Sequence, residues 1–288
     1  MNRPIFSALV SLALLAGMAA SNAARAQGAA PAEPPQLSWP FSGPLGSYDP
    51  GQLQRGFKIY REVCSTCHSL KLLSFRNLAE PGGPDFTAAQ AKAVAAEYKV
   101  NTLNEQGEVV QRPAQLADHF PAPFPNEAAA KAAFGGTEPP DMSTLAKART
   151  YERGFPRFVF DMFTQYTQEG PDYIAALLKG YQDTPQGFTL PQGTFYNVYF
   201  PGRAIKMPPP LKDGQMKYDD GSPETLEQYS KDVAAFLMWA SEPHLDARKR
   251  IGAQVMLYLI IVAGLLYFTK KRVWRDVALH PEKLAEKS

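Results

Sequence analysis

The 288-residue sequence predicts a mostly α-helical domain with long irregular loops, tethered by one C-terminal transmembrane helix. Three observations predict this. Apolar residues recur at helical spacing behind good capping residues, Pro, Gly and aromatic residues break every period between those segments, and an 18-residue apolar run near the C-terminus is bracketed by basic residues.

From the N-terminus, Arg3 is followed by an apolar stretch over residues 6–20 and then by Ala24, Arg25 and Ala26, a small-x-small cleavage site. Residues 1–26 therefore read as a cleaved export signal, with Gln27 opening the mature chain. Residues 27–48, rich in Pro, Gly and Ser, read as an extended segment. Residues 49–247 are long enough for one large exported domain and contain no internal repeat. Asp49 and Pro50 make an N-cap and first-turn pair, and Leu53, Phe57, Tyr60 and Cys64 follow on one helical face. Thr87 with Gln90 forms a capping box ahead of an Ala-rich run to Tyr98. Pro171 opens a helix through Tyr173, Leu177 and Leu178. Ser222 and Pro223 begin the last exported helix, striped by Leu226, Tyr229, Val233, Phe236, Leu237 and Ala240. Between Gln182 and Pro223 no period survives, so that stretch is loop built against something rigid.

Residues 248–270 read as the anchor with its basic flank. The apolar run 251–268 spans about 27 Å as a helix, enough for a bilayer core. Arg248, Lys249 and Arg250 precede it, and Lys270, Lys271 and Arg272 follow. Basic residues at both ends leave its direction to the export signal, which puts residues 49–247 outside and 271–288 in the cytoplasm as a short tail. The formal net charge of +2 hides an asymmetry. From Arg248 onward there are nine Lys or Arg and three Asp or Glu, net +6, and the exported head, residues 27–247, is net −6. Such a head attracts basic proteins at low salt and repels nucleic acid.

Both cysteines of the chain lie in Cys64-Ser65-Thr66-Cys67-His68. In this pattern each thiol bonds one haem vinyl and the neighbouring imidazole ligates the iron. On a helical turn the three stand at i, i+3 and i+4, so one flat ring can meet them all. A disulfide would leave His68 unused, a thioredoxin-like pair would follow a βαβ unit, and zinc would need ligands that only His119, His244 and His280 could add. One motif implies one covalently bound haem c.

A second axial ligand closes the iron to small molecules. His280 lies beyond the anchor and His244 just before it, whereas His119 sits in a Pro-rich loop and stays a candidate. Met1 and Met18 leave with the signal, and Met256 is in the anchor. Met162 and Met238 fall in helical patterns, where Met is usually core filler. Met142 follows Pro139-Pro140-Asp141 at a helix start, and Met216 stands in a polar loop. Met207 precedes Pro208, Pro209 and Pro210, which stiffen the backbone presenting its sulfur. Met207 is the favoured ligand, with His119 or an open site as alternatives.

The segments RGFKIYREVCSTCHSL, PPDMSTLAKAR (139–149), YFPGRAIKMPPPL (199–211) and DVAAFLMWASEPHLDARKR (232–250) resemble the cytochrome c1 family of the quinol:cytochrome c oxidoreductase, the cytochrome bc1 complex, in its bacterial type. The resemblance runs from about residue 55 to 272. It implies a cytochrome c-like haem domain with long loop insertions, Cys64 and Cys67 bonded to haem, and His68 and Met207 as its axial ligands. It also implies Arg149 near a haem propionate and Tyr173 beside the haem. Expected partners are cytochrome b and the Rieske iron-sulfur protein in a dimeric membrane complex, with cytochrome c as acceptor and lipid around the anchor. The expected place is the bacterial inner membrane, with the haem domain on the periplasmic side. Residues 150–170 are longer than in mitochondrial relatives, Lys206 replaces the small residue usual before the axial Met, and the extra disulfide of some bacterial relatives is missing. A free-standing membrane-anchored cytochrome c donating to a terminal oxidase is the alternative, and a ligand-binding haem enzyme or sensor the reading from another class.

Overall fold

In the computed structural model residues 31–275 are described, apart from Glu152 and Gln165. The expected signal peptide, residues 1–26, and the expected tail beyond residue 275 lie outside the described residues. The described part is mostly helical, as the sequence predicts.

Helix α1 (Pro50–Glu62) begins where the Asp49 carboxylate accepts the Gln52 amide at 3.2 Å, and it buries Leu53, Gly56, Phe57 and Tyr60. It runs directly into a 3-10 turn at Cys64–Thr66. A second 3-10 turn, Phe75–Ala79, follows, and then α2 (Ala88–Ala96), opened by the expected Thr87/Gln90 capping box. The next element was not expected: β1 (Lys99–Leu103) pairs antiparallel with β2 (Val109–Pro113), from Lys99↔Pro113 to Leu103↔Val109. The Asn104 side chain builds its turn by accepting the amides of Gln106 at 3.0 Å and Glu108 at 2.8 Å, with Gly107 at φ +80°.

Three short helices come next: α3 (Glu127–Ala133), α4 (Leu145–Ala148) and α5 (Arg157–Thr164). Helix α6 (Glu169–Lys179) contains Pro171 in its first turn. The loop expected between Gln182 and Pro223 is interrupted only by β3 (Phe195–Tyr196) and β4 (Ala204–Ile205), which pair with each other. Helix α7 (Leu226–Ser241) starts later than Ser222–Pro223. Asp220 accepts both the amide and the hydroxyl of Ser222 at 3.0 Å, which makes a turn there, and Thr225 caps the helix by accepting the Gln228 amide.

The core lies where α7 crosses α1, and α6 and α4 flank α7. A Cβ placed on Gly56 would stand 2.2 Å from the Asp232 carbonyl oxygen and 2.6 Å from the Phe236 Cβ, so only glycine lets α1 approach this closely. Phe57 and Tyr60 pack on Phe236 with ring centroids 5.7 and 5.8 Å apart, and Phe57 also meets Phe86 and Phe120. Beside the crossing, the Asp232 side chain is fully buried and ionically bonded to Arg55 at 2.9 Å, with Tyr218 Oη and Gln228 Nε2 donating to it at 3.0 and 2.9 Å. Removing one partner would strand a buried charge, so the cluster locks the pair of helices.

Helix α8 (Leu245–Val273) has 29 residues, about 44 Å at 1.5 Å per residue. It starts three residues after α7, and the head grips its first turns. Asp246 accepts the Tyr48 amide at 3.2 Å, and the Lys249 ammonium donates to the carbonyls of Phe41 at 2.6 Å and Gly46 at 2.9 Å. Its apolar part is buried by none of the described residues. A core helix would be buried, so this one is the membrane anchor.

Gly56→Ala is expected to force the helices apart and lower the thermal midpoint by about 3–10 °C, on the order of 1–3 kcal/mol of overpacking in a domain of this size. Differential scanning calorimetry checks this, and an unchanged midpoint would mean that the crossing has slack.

Candidate functional site

The Cys-x-x-Cys-His segment leaves α1 through a turn made by its own small side chains. Ser65 Oγ donates to the Arg61 carbonyl and Thr66 Oγ1 to the Val63 carbonyl, both at 2.7 Å. The amides of Cys67 and His68 both reach the Cys64 carbonyl, at 3.1 and 2.9 Å. The helix tightens here, yet the i to i+4 bond persists, and two thiols and one imidazole stay within a single turn. Both cysteines are free. Burial pushes the Cys64 thiol up to about 12, with the nearby Cys67 adding to the rise, so it stays neutral.

His68 is fixed by a partner far along the chain. Its Nδ1 lies 2.8 Å from the Pro140 carbonyl oxygen, an acceptor only, so Nδ1 carries the proton and Nε2 keeps a free lone pair. Burial lowers the imidazole pKa, outweighing the Pro140 bond and the Asp141 charge that oppose it, and the ring stays neutral as a metal ligand must. Asp141 clips the two segments together. Its carboxylate accepts Ser69 Oγ at 2.7 Å, the Lys71 amide at 3.0 Å and the Ser143 amide at 2.9 Å. Among the described residues no three His, Cys, Asp or Glu side chains gather into a cage for a bare metal ion. Two free thiols beside an imidazole with an oriented lone pair fit a covalently attached haem.

The other candidates separate by burial. Met142, Met216 and Met238 are packed in the hydrophobic core at 7%, 5% and 2% exposure. The side chain of Met162 lies outside the described residues. Met207 is half-buried just past β4, outside that core, and its carbonyl accepts Tyr181 Oη at 3.1 Å. His119 forms a bridge with Ser74 and is exposed, while its neighbour Phe120 points into the core. His244 is exposed at the N-cap of α8, and His280 lies outside the described residues.

Tyr173 is buried on α6, and Arg149 is exposed just after α4. The two are brought near one another: burial raises the Tyr173 hydroxyl pKa, and the Arg149 cation partly offsets this. Sequence reasoning missed the roles of Pro140, Asp141 and Tyr181. The first two stand in the 139–149 segment already singled out, whereas nothing local marks Tyr181 as a partner of the Met207 backbone. Lys206, which could have pointed to solvent, instead donates to the Gly135 carbonyl at 3.0 Å and to Thr137 Oγ1 at 2.6 Å.

Comparison with known proteins identifies the family. A sequence model of the family described as "Cytochrome C1 family" matches residues 39–277. The chain is 50% identical over 271 residues to a "Cytochrome c1" of Blastochloris viridis, covering 93% of this chain and 96% of that protein. It is 42% identical over 241 residues to a "Cytochrome c1" of Rhodospirillum rubrum, covering 83% and 86%. It is also 58% identical over 246 residues to a "Cytochrome b/c1" of Bradyrhizobium diazoefficiens, covering 85% of this chain but only 36% of that longer protein.

Replacing both Cys64 and Cys67 by Ser is expected to abolish haem that survives denaturing electrophoresis, while either single change leaves one thioether and a weaker band. Undiminished haem staining in the double variant would move the attachment elsewhere.

Proposed function

The chain belongs to the cytochrome c1 family, and from that premise we propose that it takes single electrons from a Rieske iron-sulfur protein and passes them to a c-type cytochrome. Cys64 and Cys67 hold the haem, and His68 and Met207 ligate its iron. The observation that carries this reading is the imidazole whose Nδ1 proton is committed to Pro140, beside two free thiols. Bound haem supplies a one-electron Fe(II)/Fe(III) couple. The protein's part is positional: Pro140 orients His68, Tyr181 holds the Met207 backbone, and Arg149 with Tyr173 stands ready for the propionate side. Were His68 and Met207 both to ligate the iron, the haem would supply outer-sphere electron transfer, the role of an electron-transfer subunit of the cytochrome bc1 complex.

Met207 is supported by what the other methionines do, since three of them fill the core and Met207 does not. A thioether opposite imidazole favours Fe(II) and raises the potential. The anchor α8 lies beside cytochrome b in a dimeric complex surrounded by lipid, which suits a relative whose name joins b with c1. The haem domain is periplasmic, over residues 49–247, with the signal 1–26 removed and the tail from 271 in the cytoplasm. The acidic head, net −6 before Arg248, steers a basic acceptor.

Met207→Leu is expected to open the iron to carbon monoxide and lower the midpoint potential by on the order of 100 mV, read by redox titration in the visible bands. An unchanged spectrum would mean that another residue is the ligand. Electron transfer to a basic acceptor cytochrome is expected to slow several-fold from low to physiological ionic strength, and stopped-flow rates insensitive to salt would remove the steering role. Purification in mild detergent is expected to bring down cytochrome b, and its absence would favour the free-standing cytochrome.

A further inference from the structure

We propose that Lys206 is a positioning residue for the sixth ligand of the haem, tying the Met207 loop to the strand of chain that orients His68. The inference rests on the reading of Met207 as that ligand. A thioether is a weak ligand, so how often it leaves the iron depends on how firmly its loop is held. The loop leaves a hairpin of two residue pairs, Phe195↔Ile205 and Tyr196↔Ala204, and returns to the core at Leu211. Next to the sulfur itself two contacts bear on it: Tyr181 Oη on the Met207 carbonyl, and the Lys206 ammonium on Gly135 O at 3.0 Å and Thr137 Oγ1 at 2.6 Å.

What Lys206 grips leads directly to the residue that orients His68. Gly135 and Gly136 follow α3 at φ +60° and +87°, two consecutive left-handed residues that only glycine adopts readily, and the Gly136 amide is bonded back to the Lys131 carbonyl at 2.7 Å. From Thr137 the chain reaches Pro140 through Glu138 and Pro139, and Pro140 holds the His68 ring. One strap of six residues, 135–140, therefore bears on both axial positions: its far end sets the imidazole, and its near end, through Lys206, sets the loop of the sulfur. A small residue before Met207 could not span to that strap. A four-carbon stem can, and its charged head makes the bonds stronger than neutral ones.

The test separates the tether from the mere charge, using the full chain in its detergent-solubilised membrane complex. Lys206→Met keeps the length but loses the donor, Thr137→Val removes an acceptor without changing any charge, and Lys206→Arg keeps a cationic donor. Lys206 and Thr137 are both exposed, so none of these changes disturbs the core. Lys206→Met and Thr137→Val are each expected to raise carbon monoxide binding to the reduced protein about three- to tenfold, and Lys206→Arg to restore most of the parent behaviour. The midpoint potential is expected to fall in both, further in Lys206→Met because a cation is lost as well. Carbon monoxide binding unchanged in both, with a lower potential in Lys206→Met alone, would overturn the proposal and leave Lys206 as a charge. Met207→Leu, measured alongside, keeps the two readings apart. If it opens the iron while the Lys206 and Thr137 variants stay closed, only the tether fails; if it leaves the iron closed, the ligand assignment and the tether fail together.

Discussion

The crossing of α1 over α7 at Gly56 leaves no room for one methyl group, and the position of the haem-attachment turn follows from that contact. Cys64 stands about two turns beyond Gly56, in the 3-10 turn into which α1 runs, so whatever fixes the height and tilt of α1 also fixes where the thiols emerge. Arg55 and Asp232 fasten the crossing from the side, and the rings of Phe57, Tyr60 and Phe236 fill it. The ion pair is buried on the Asp232 side and carries three donors, which is the condition under which a buried charge is tolerated.

A cofactor that is held from two faces needs chain segments that meet across it although they are distant in sequence. In the proposed site the covalent and imidazole side would come from residues 64–68, and the sulfur side from the loop after β4. Between them runs the segment 135–143, in which the Pro140 carbonyl, Asp141 carboxylate and Ser143 hydroxyl accept from residues 68–72, and the Gly135 carbonyl and Thr137 hydroxyl accept from Lys206. This arrangement accounts for the long loops. They are not excess length on a small helical domain but the material that closes the site, and proline keeps them extended where helix would pull them away.

Much of this was legible in local patterns. The Asp49-Pro50 cap, the Thr87/Gln90 box and the apolar run of α8 each carry their signal within a few residues, and each stands where it was read. Three features were not read. The hairpin of β1 and β2 has alternating Val100, Thr102 and Val110 around an Asn104-to-Gly107 turn, a pattern hidden by its short length and high polarity. The start of α7 shifted because Asp220 competes for Ser222, an outcome that depends on which of two nearby caps wins. The segment before residue 49 looked like a plain lead-in, yet Trp39, Phe41 and Tyr48 belong to the core, and Asp172 on α6 accepts the Leu37 amide and the Trp39 indole. Partners more than a hundred residues away leave no periodic trace, and the same holds for Pro140 beneath His68.

That leading segment also decides how the head sits on its anchor. Lys249 and Asp246, in the opening turns of α8, are bonded to Phe41, Gly46 and Tyr48, and Phe41 and Tyr48 are part of the head's own core. The joint is thus a weld and not a hinge. A domain bonded to its membrane helix in this way holds its Cys-x-x-Cys-His turn at one height above the apolar part of that helix, so a swing of the head is not a motion the joint provides.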